Sequence, residues 1–521
     1  MMRSRLFALA AGTALTLGGC AAPASAPPTG QTAPAARPAA MTVTEADISG
    51  RIEYLASDAL RGRDTPSPGL DSAAAYLIRE VRAMGLEPAG EDGTFYQRYP
   101  FPLRRLSVDG TRLTIVGPRG QQALQYGRDF FVAGGTRADL DAALVFAGRD
   151  FEAVADEAGL LRDKIAVFAT PGAWTRDWRM LRTRQTSQAQ REGARAAIHI
   201  LDPSWTAEQI AQFAAQAGQP VRTLGAEIAF PQFMISHTAA QQLFTAAGVS
   251  LDEVWRRAET GEMRPMTLPG LAARGGARVE DLEQTMAPNV VAILPGRDPA
   301  LRDEYVLLSA HMDHVGVGRP MNGDSIYNGA DDNASGTSGL LEIARVLSSL
   351  PERPRRSVVF LWVSGEEKGL LGSRWFADNP TFPIERVVAN INADMIGSDR
   401  HRDSVVVIGK DYSTLGEVVN RVNARHPELR LTASDDIWPE QQFFYRSDHV
   451  NFLRKEIPAL FFFTGVHECY HQPCDTPDFV DAGKAARVAT LILHTVTDIA
   501  NAERRPEWDP AGLEEVRRLT R

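Results

Sequence analysis

Four apolar runs in the second half of the chain each lead into a histidine or a carboxylate. Tyr305 to Ala310 runs into His311-Met312-Asp313, and Val358 to Val363 into Gly365-Glu366-Glu367. Val387 to Ile391 runs into Asn392-Ala393-Asp394, and Ala459 to Phe463 into a loop that carries Tyr470-His471. Runs this short and this apolar suit strands buried on both faces. Gly329-Ala330-Asp331-Asp332-Asn333 lies just before an amphipathic helical stretch from Gly336 to Leu350. Strands alternating with helices fold as an α/β sheet with parallel strands, and such sheets gather their sites beyond the strands' carboxyl ends. The expected fold class is therefore α/β: a mostly parallel central sheet flanked by helices, with five loops converging on one edge.

Those loops supply two histidines and several carboxylates. Imidazole and carboxylate together suit zinc, whereas Ca²⁺ or Mg²⁺ would not select two histidines. Ligands plus a spare carboxylate are the inventory of a two-metal hydrolytic centre. There two ions roughly 3.5–4 Å apart share a carboxylate and a water whose pKa falls towards roughly 7. Glu366, next to a ligand, can accept a proton from that water and return it to a leaving amine. Asp313 can fix the His311 tautomer by accepting from the other ring nitrogen. The Tyr470 hydroxyl can steady an oxyanion. Each residue alone has an ordinary reading. A histidine after a strand is commonly core, paired glutamates suit a helix start, and a tyrosine in a loop commonly packs. The ordered set carries the functional reading. Spacing leaves open whether Asp331 or Asp332 is shared. It also leaves open whether Cys469 and Cys474, which flank His471, form a small disulfide or offer thiolates.

Several other residues near the set have blander expectations. His314 and His467 are expected beside the ligands or at the surface. Ser447-Asp448-His449 resembles a triad fragment, but no Gly-x-Ser-x-Gly elbow accompanies it, so Ser447 reads as a helix cap. Trp438, Phe443, Phe444 and Phe461 to Phe463 suit either the wall of an apolar side-chain pocket or the core, and at strand and helix spacing they read as core.

At 521 residues the length points to two or three domains, and 44% apolar with 23% charged residues is a globular composition. The formal charge of −9 argues against a nucleic-acid partner held by phosphate contacts. Residues 1–19 read as a signal peptide, with Arg3 and Arg5 before an apolar stretch from Leu6 to Leu17 that is too short to span a bilayer. Leu17-Gly18-Gly19-Cys20 resembles a bacterial lipobox. Cys20 would then be lipidated, and residues 20–40, rich in Ala and Pro, would tether the protein to a membrane. The place expected is the bacterial envelope, on the periplasmic side of a membrane touched only through Cys20. Residues 41–133 read as the first part of the site-bearing domain. Residues 134–279 read as a small β-rich insert, with short buried strands at 142–146, 164–168 and 196–200. Residues 280–505 form the part that carries the site, and 506–521 a tail.

The motifs His311-Met-Asp313, Gly329-Ala-Asp-Asp332-Asn-Ala-Ser-Gly336, Glu366-Glu367-Lys-Gly-Leu-Leu-Gly-Ser373, Asp394-Met and Tyr470-His471-Gln-Pro-Cys-Asp-Thr476 together resemble metallopeptidase family 28, the co-catalytic zinc aminopeptidases and glutamate carboxypeptidases. The resemblance covers about residues 290–480. It implies two Zn²⁺ ions, one on His311 and Asp394, the other on Glu367 and His471, with Asp332 shared. It also implies a cis peptide bond at Asp332–Asn333, a Cys469–Cys474 disulfide, and a protease-associated domain as the insert. Peptides are the implied substrates. The activity implied is removal of N-terminal residues, with carboxypeptidase action and a non-catalytic metal-stabilised binding lipoprotein as alternatives.

Overall fold

Every residue from Ser357 to Val363 is buried. The computed structural model, which describes residues 41–520 apart from 133–136, 150–158, 225–229, 261 and 399–402, shows why the run is apolar throughout. Successive side chains of a strand point to opposite faces. Val358, Phe360 and Trp362 pack among helix residues such as Leu77, Leu341 and Leu491. Val359, Leu361 and Val363 pack on the other face with Phe376 and Phe452. Both faces are dry, so neither can carry polar residues.

Ser357–Val363, Tyr305–His311, Val387–Ala393 and Ala459–Phe463 form four neighbouring strands, each parallel to the next. Met286–Leu294 adds antiparallel on one side and Ser404–Ile408 on the other. The register sets His311 opposite Val363 and Ser309 opposite Asn392, so the strands end together. Helices Gly336–Ser348 and Ala482–Asn501 pack beside them, the first ending close to its predicted limit. The expected fold class is therefore present. Residues 1–40, with the signal segment and Cys20, lie outside the described residues. No described helix is long and apolar enough to cross a membrane.

Two boundaries differ from the sequence reading. The strands Leu103–Gly117, Gly120–Leu124 and Phe130–Val132, read as part of the site-bearing domain, pair instead within a second nine-stranded sheet. Leu103–Gly117 is bonded along its length to Met266–Glu283. Alternation along a strand tells how many faces are buried, not which sheet receives it. The stretch read as a tail forms the helix Pro510–Thr520, whose Val516 is buried and whose Arg517 pairs with Glu456 at 2.8 Å.

The second sheet holds the three strands expected at 142–146, 164–168 and 196–200, observed as Ala138–Gly148, Ile165–Thr170 and Ala196–Leu201. These are mutually parallel. It has its own core around Phe130, Phe146, Val167, Ile198 and Phe244. His199 is buried there on the opposite face of its strand. Its Nδ1 lies 3.2 Å from both Thr170 Oγ1 and Gln185 Oε1, and its Nε2 3.1 Å from Thr186 Oγ1. Burial, aided by nearby Arg182, lowers the ring's pKa from 6.5 to about 3. Below pH 6.5 the unfolded chain takes up a proton that the folded chain refuses. The stability tied to this neutral ring is thus complete above about pH 6.5 and is lost as pH falls towards about 3, at ~1.4 kcal/mol per pH unit. Urea unfolding of wild type and His199→Gln at pH 7 and pH 5 is expected to show the wild type losing ~2 kcal/mol more than the variant. Equal losses would mean that the ring is protonated in the fold.

Candidate metal centre

The loops leaving the four parallel strands meet as the sequence reading expects. His311 ends its strand, buried, with Nε2 at 3.1 Å from Asp394 Oδ1 and 3.2 Å from Asp332 Oδ1. Across the site, His471 Nε2 is 3.1 Å from Asp332 Oδ2 and 3.0 Å from Glu367 Oε2. Asp332 thus turns one oxygen to each histidine. The structure has a cis peptide bond at Asp332–Asn333, and Cys469 is bonded to Cys474 with Cα atoms 5.3 Å apart around His471.

The Asp332 loop is held by side chains of its own motif. Asn333 Nδ2 donates to Ala393 O at 3.0 Å, and its Oδ1 accepts from Gly336 N and Met395 N. One amide therefore ties the Asp332 loop to the Asp394 loop. The main-chain N–H groups of Asp331 and Asp332 both donate to the buried Asp475 carboxylate, at 2.9 and 3.1 Å. Asp331 faces away from the shared position. It accepts from Gly397 N at 2.7 Å and lies 3.3 Å from His467 Nε2. His467 is thus buried beside the ligand loop, not at the surface.

Asp313 and Ser447 hold different partners from those expected. His311 Nδ1 lies 3.2 Å from the Asp313 main-chain carbonyl and 3.7 Å from its carboxylate, so the carbonyl fixes the tautomer. The buried carboxylate instead accepts from Thr65 Oγ1 and Gly365 N, both at 2.8 Å, and from Glu366 N at 3.4 Å. It holds the turn that presents Glu366 and Glu367. Ser447 caps no helix. The short helix His449–Leu453 begins after Asp448 without a side-chain cap, and the Ser447 hydroxyl donates to Asp394 Oδ2 at 2.6 Å. That hydroxyl in turn accepts from Asn392 Nδ2 at 2.8 Å. A polar chain inside the sheet therefore orients Asp394 so that Oδ1 faces His311. Short-range helix rules point to Ser447 as a cap because they see only its own helix.

Arg63 escapes sequence reading, whereas His314 lies beside the ligands as expected. Arg63 is 1% exposed. Its Nε donates to Met312 O at 3.0 Å, Nη1 to Asn328 O at 2.8 Å and to Leu55 O, and Nη2 to Gly329 O at 2.9 Å. It clasps the His311 and Asp332 loops from behind. His314 is fully buried with Nδ1 at 2.8 Å from Glu367 Oε1.

A cavity beside the centre is lined by Asp332, Glu366, Asp394 and Tyr470 together with Met395, Phe443, Arg446, Phe461, Phe463 and Val466. Phe443, Phe461 and Phe463 are thus core and wall at once. The Tyr470 ring stacks on His471 at 3.9 Å, and its hydroxyl lies 3.4 Å from Arg446 Nη2. Burial pushes the Tyr470 hydroxyl's pKa up, so it stays protonated as a donor.

The electrostatics fit a cation. Burial alone would lower the His471 ring, yet Asp332 and Glu367 raise it to about 10. Burial would likewise lower His311, but Asp394, Glu366, Asp313 and Asp332 hold it well above the usual range. Burial pushes the Glu366 carboxyl well up, with Glu367 and Asp394 adding to it against the pull of His311. Buried donor atoms without a hydrogen-bond partner among the described residues gather here: His471 Nε2, Glu367 Oε1 and His314 Nδ1. Lone pairs aimed together without an intervening proton are what a metal ligand set leaves. Imidazole and carboxylate donors match zinc.

Two His–carboxylate groups sharing one aspartate at the carboxyl edge of a parallel sheet define a candidate paired-cation centre. Residues 289–496, which contain all of it, match the model of peptidase family M28. The chain is 30% identical over 243 residues to a probable leucine aminopeptidase 1 of Trichophyton verrucosum, covering 44% of this chain and 62% of that one. It is 29% identical over 214 residues to aminopeptidase YwaD of Bacillus subtilis, covering 39% and 43%. The chain thus spans less than two thirds of the length of these curated relatives. A solved zinc aminopeptidase from Bacillus subtilis aligns with 89% of this chain and 97% of its own, at 18% identity and a TM-score of 0.47.

Proposed function

We propose that the chain is a zinc-dependent exopeptidase that removes N-terminal residues from peptides. The observation that carries this reading is Asp332, one oxygen towards His311 and the other towards His471, in a cavity that also holds Glu366. Two relatives are named aminopeptidases, which supports the same activity here. His311 and Asp394 would hold one zinc ion, Glu367 and His471 the other, with Asp332 between them. Bound there, the ions would polarise a scissile carbonyl and make water acidic enough to attack at neutral pH. Glu366 takes the proton from the attacking water and delivers it to the leaving nitrogen, a role its raised carboxyl suits. Tyr470 donates to the oxygen that gains charge. Asp313 keeps Glu366 in place through the main chain of the turn. Met395, Phe443, Phe461, Phe463 and Val466 would receive an apolar N-terminal side chain. Export by the segment 1–19 and lipidation at Cys20 belong to the same reading, resting on the sequence of the first twenty residues. So does a protease-associated role for the second sheet.

Arg446, on the cavity wall, favours a second reading in which a substrate carboxylate is held near the scissile bond. A positional peptide library with free and blocked N-termini separates the two. Purified protein is expected to shorten free peptides from the N-terminus, spare blocked ones, stop on chelation and recover with zinc. A zinc-loaded protein that cleaves nothing would overturn the proposal. Cleavage of blocked peptides would favour the carboxypeptidase reading instead.

A further inference from the structure

We infer that His314 is an additional protein ligand on the Glu367–His471 side of the centre, so that the two cations are held by unequal donor sets. The inference rests on the paired-cation reading above and adds to it. His314 stands three residues beyond His311, past the end of the strand. Its Nδ1 is 2.8 Å from Glu367 Oε1 and 3.8 Å from Asp332 Oδ2. The ring meets that of His471 edge to face, with centroids 5.6 Å apart. One donor atom each from His314, Asp332 and Glu367 lie within 4.8 Å of one another, as do those from His311, Asp332 and Asp394.

A histidine this close to a carboxylate would ordinarily be a hydrogen-bond donor. The angles do not fit that role. Neither His314 Nδ1 nor Glu367 Oε1 has a hydrogen-bond partner among the described residues, although both are buried. His311 differs, since its Nδ1 is bonded to the Asp313 carbonyl. Two buried lone-pair atoms 2.8 Å apart with no proton directed between them suit a shared cation. The ring is also fixed in place. Gly329, at φ 62°, packs its Cα so close to the ring that a Cβ there would lie 2.4 Å from His314 Cγ.

The counts then differ. His311, Asp394 and Asp332 face one cation, whereas His314, His471, Glu367 and Asp332 face the other. Four protein donors close a tetrahedral zinc site, and three leave a position open. The cation beside His314 is retained, and the one beside His311 is the exchangeable member that keeps room for substrate.

The test is zinc binding by full-length apoprotein, read by chelator competition and by metal analysis after dialysis. Wild type is expected to bind two equivalents with affinities at least roughly tenfold apart. His314→Ala is expected to weaken the tighter step by roughly ten- to a hundredfold and leave the weaker one in place. His311→Ala is expected to weaken only the looser step. Asparagine matches histidine out to Nδ1 and can donate a hydrogen bond, but is a poor zinc ligand. His314→Asn is therefore expected to behave as the alanine variant does, and it carries the test if alanine unfolds the apoprotein. Wild-type affinities in a folded His314→Asn variant would overturn ligation by His314 alone. A wild type that binds no zinc would overturn the paired-cation reading beneath it.

Discussion

Glu366→Gln is expected to lower turnover by roughly 10²–10⁴-fold while the protein keeps its full metal content. The two halves of that result have separate structural causes. Glutamine has the shape of glutamate, and the residue's position is set by its main chain. The turn at Gly365 and Glu366 is fastened by two N–H donations to the buried Asp313 carboxylate, and these do not depend on the side chain. Glu367, the proposed ligand, follows in the same turn and keeps its contact with His471 at 3.0 Å. What the substitution removes is a carboxylate that can hold a proton between attack and departure. Burial and the neighbouring carboxylates raise Glu366 towards the range in which it can both accept and return that proton. Steady-state rates on an aminoacyl anilide, paired with zinc analysis of the same sample, measure both halves. Activity within tenfold of wild type would remove Glu366 from the proton path. Loss of zinc with activity would instead make it a ligand.

The parts of this centre that the sequence announces are those that local chemistry repeats. A strand buried on both faces has to be apolar, so its first polar residue marks the sheet edge. Four such strands, parallel and in register, bring His311, Glu367, Asp394 and the His471 loop together. The parts it conceals act across long separations. Arg63 reaches Met312 and Gly329 through main-chain carbonyls, which carry no sequence identity to read. Ser447 orients Asp394 from a helix start, where short-range rules assign a cap. The Asp313 carboxylate serves a turn more than fifty residues away, while its carbonyl takes the role expected of the side chain. His314 sits one residue beyond a motif that already accounts for its members, so nothing in the spacing asks for it. Gly329, packed on the His314 ring, is the signal that points to His314 once the fold is known. The second sheet's early strands were hidden for another reason: alternation reports a half-buried strand and is silent on its partner.

Arg63→Met is expected to cost the fold roughly 3–5 kcal/mol, with a larger loss in chelator than in zinc. The guanidinium is the hydrogen-bond donor to four carbonyls, those of Leu55, Met312, Asn328 and Gly329. A bond from a charged donor contributes about 1.5–3 kcal/mol, and a buried carbonyl left without one retains its desolvation cost. Methionine fills the volume and satisfies none of them. The charge matters separately. Burial lowers the pKa of Arg63 to about 10, with Asp313, Asp475, Asp332 and Glu367 opposing the fall, so it is a cation at neutral pH. It is the inner counter-charge of a carboxylate cluster that the proposed zinc ions would neutralise from the other side. Without either cation the carboxylates repel in a buried setting, so the variant should depend on zinc more steeply than wild type. A ligand that binds only the folded state stabilises it by RT ln(1 + [L]/Kd), so added zinc should raise the variant's unfolding temperature and chelator should lower it. Arg63→Lys separates the two contributions. It keeps the charge but lacks the planar fork, so it should recover zinc independence before it recovers stability. Thermal unfolding of the three proteins in zinc and in chelator reads both effects. An Arg63→Met protein within ~1 kcal/mol of wild type in chelator would show that the Leu55, Met312, Asn328 and Gly329 carbonyls find other donors, and that the ligand loops meet without a clasp.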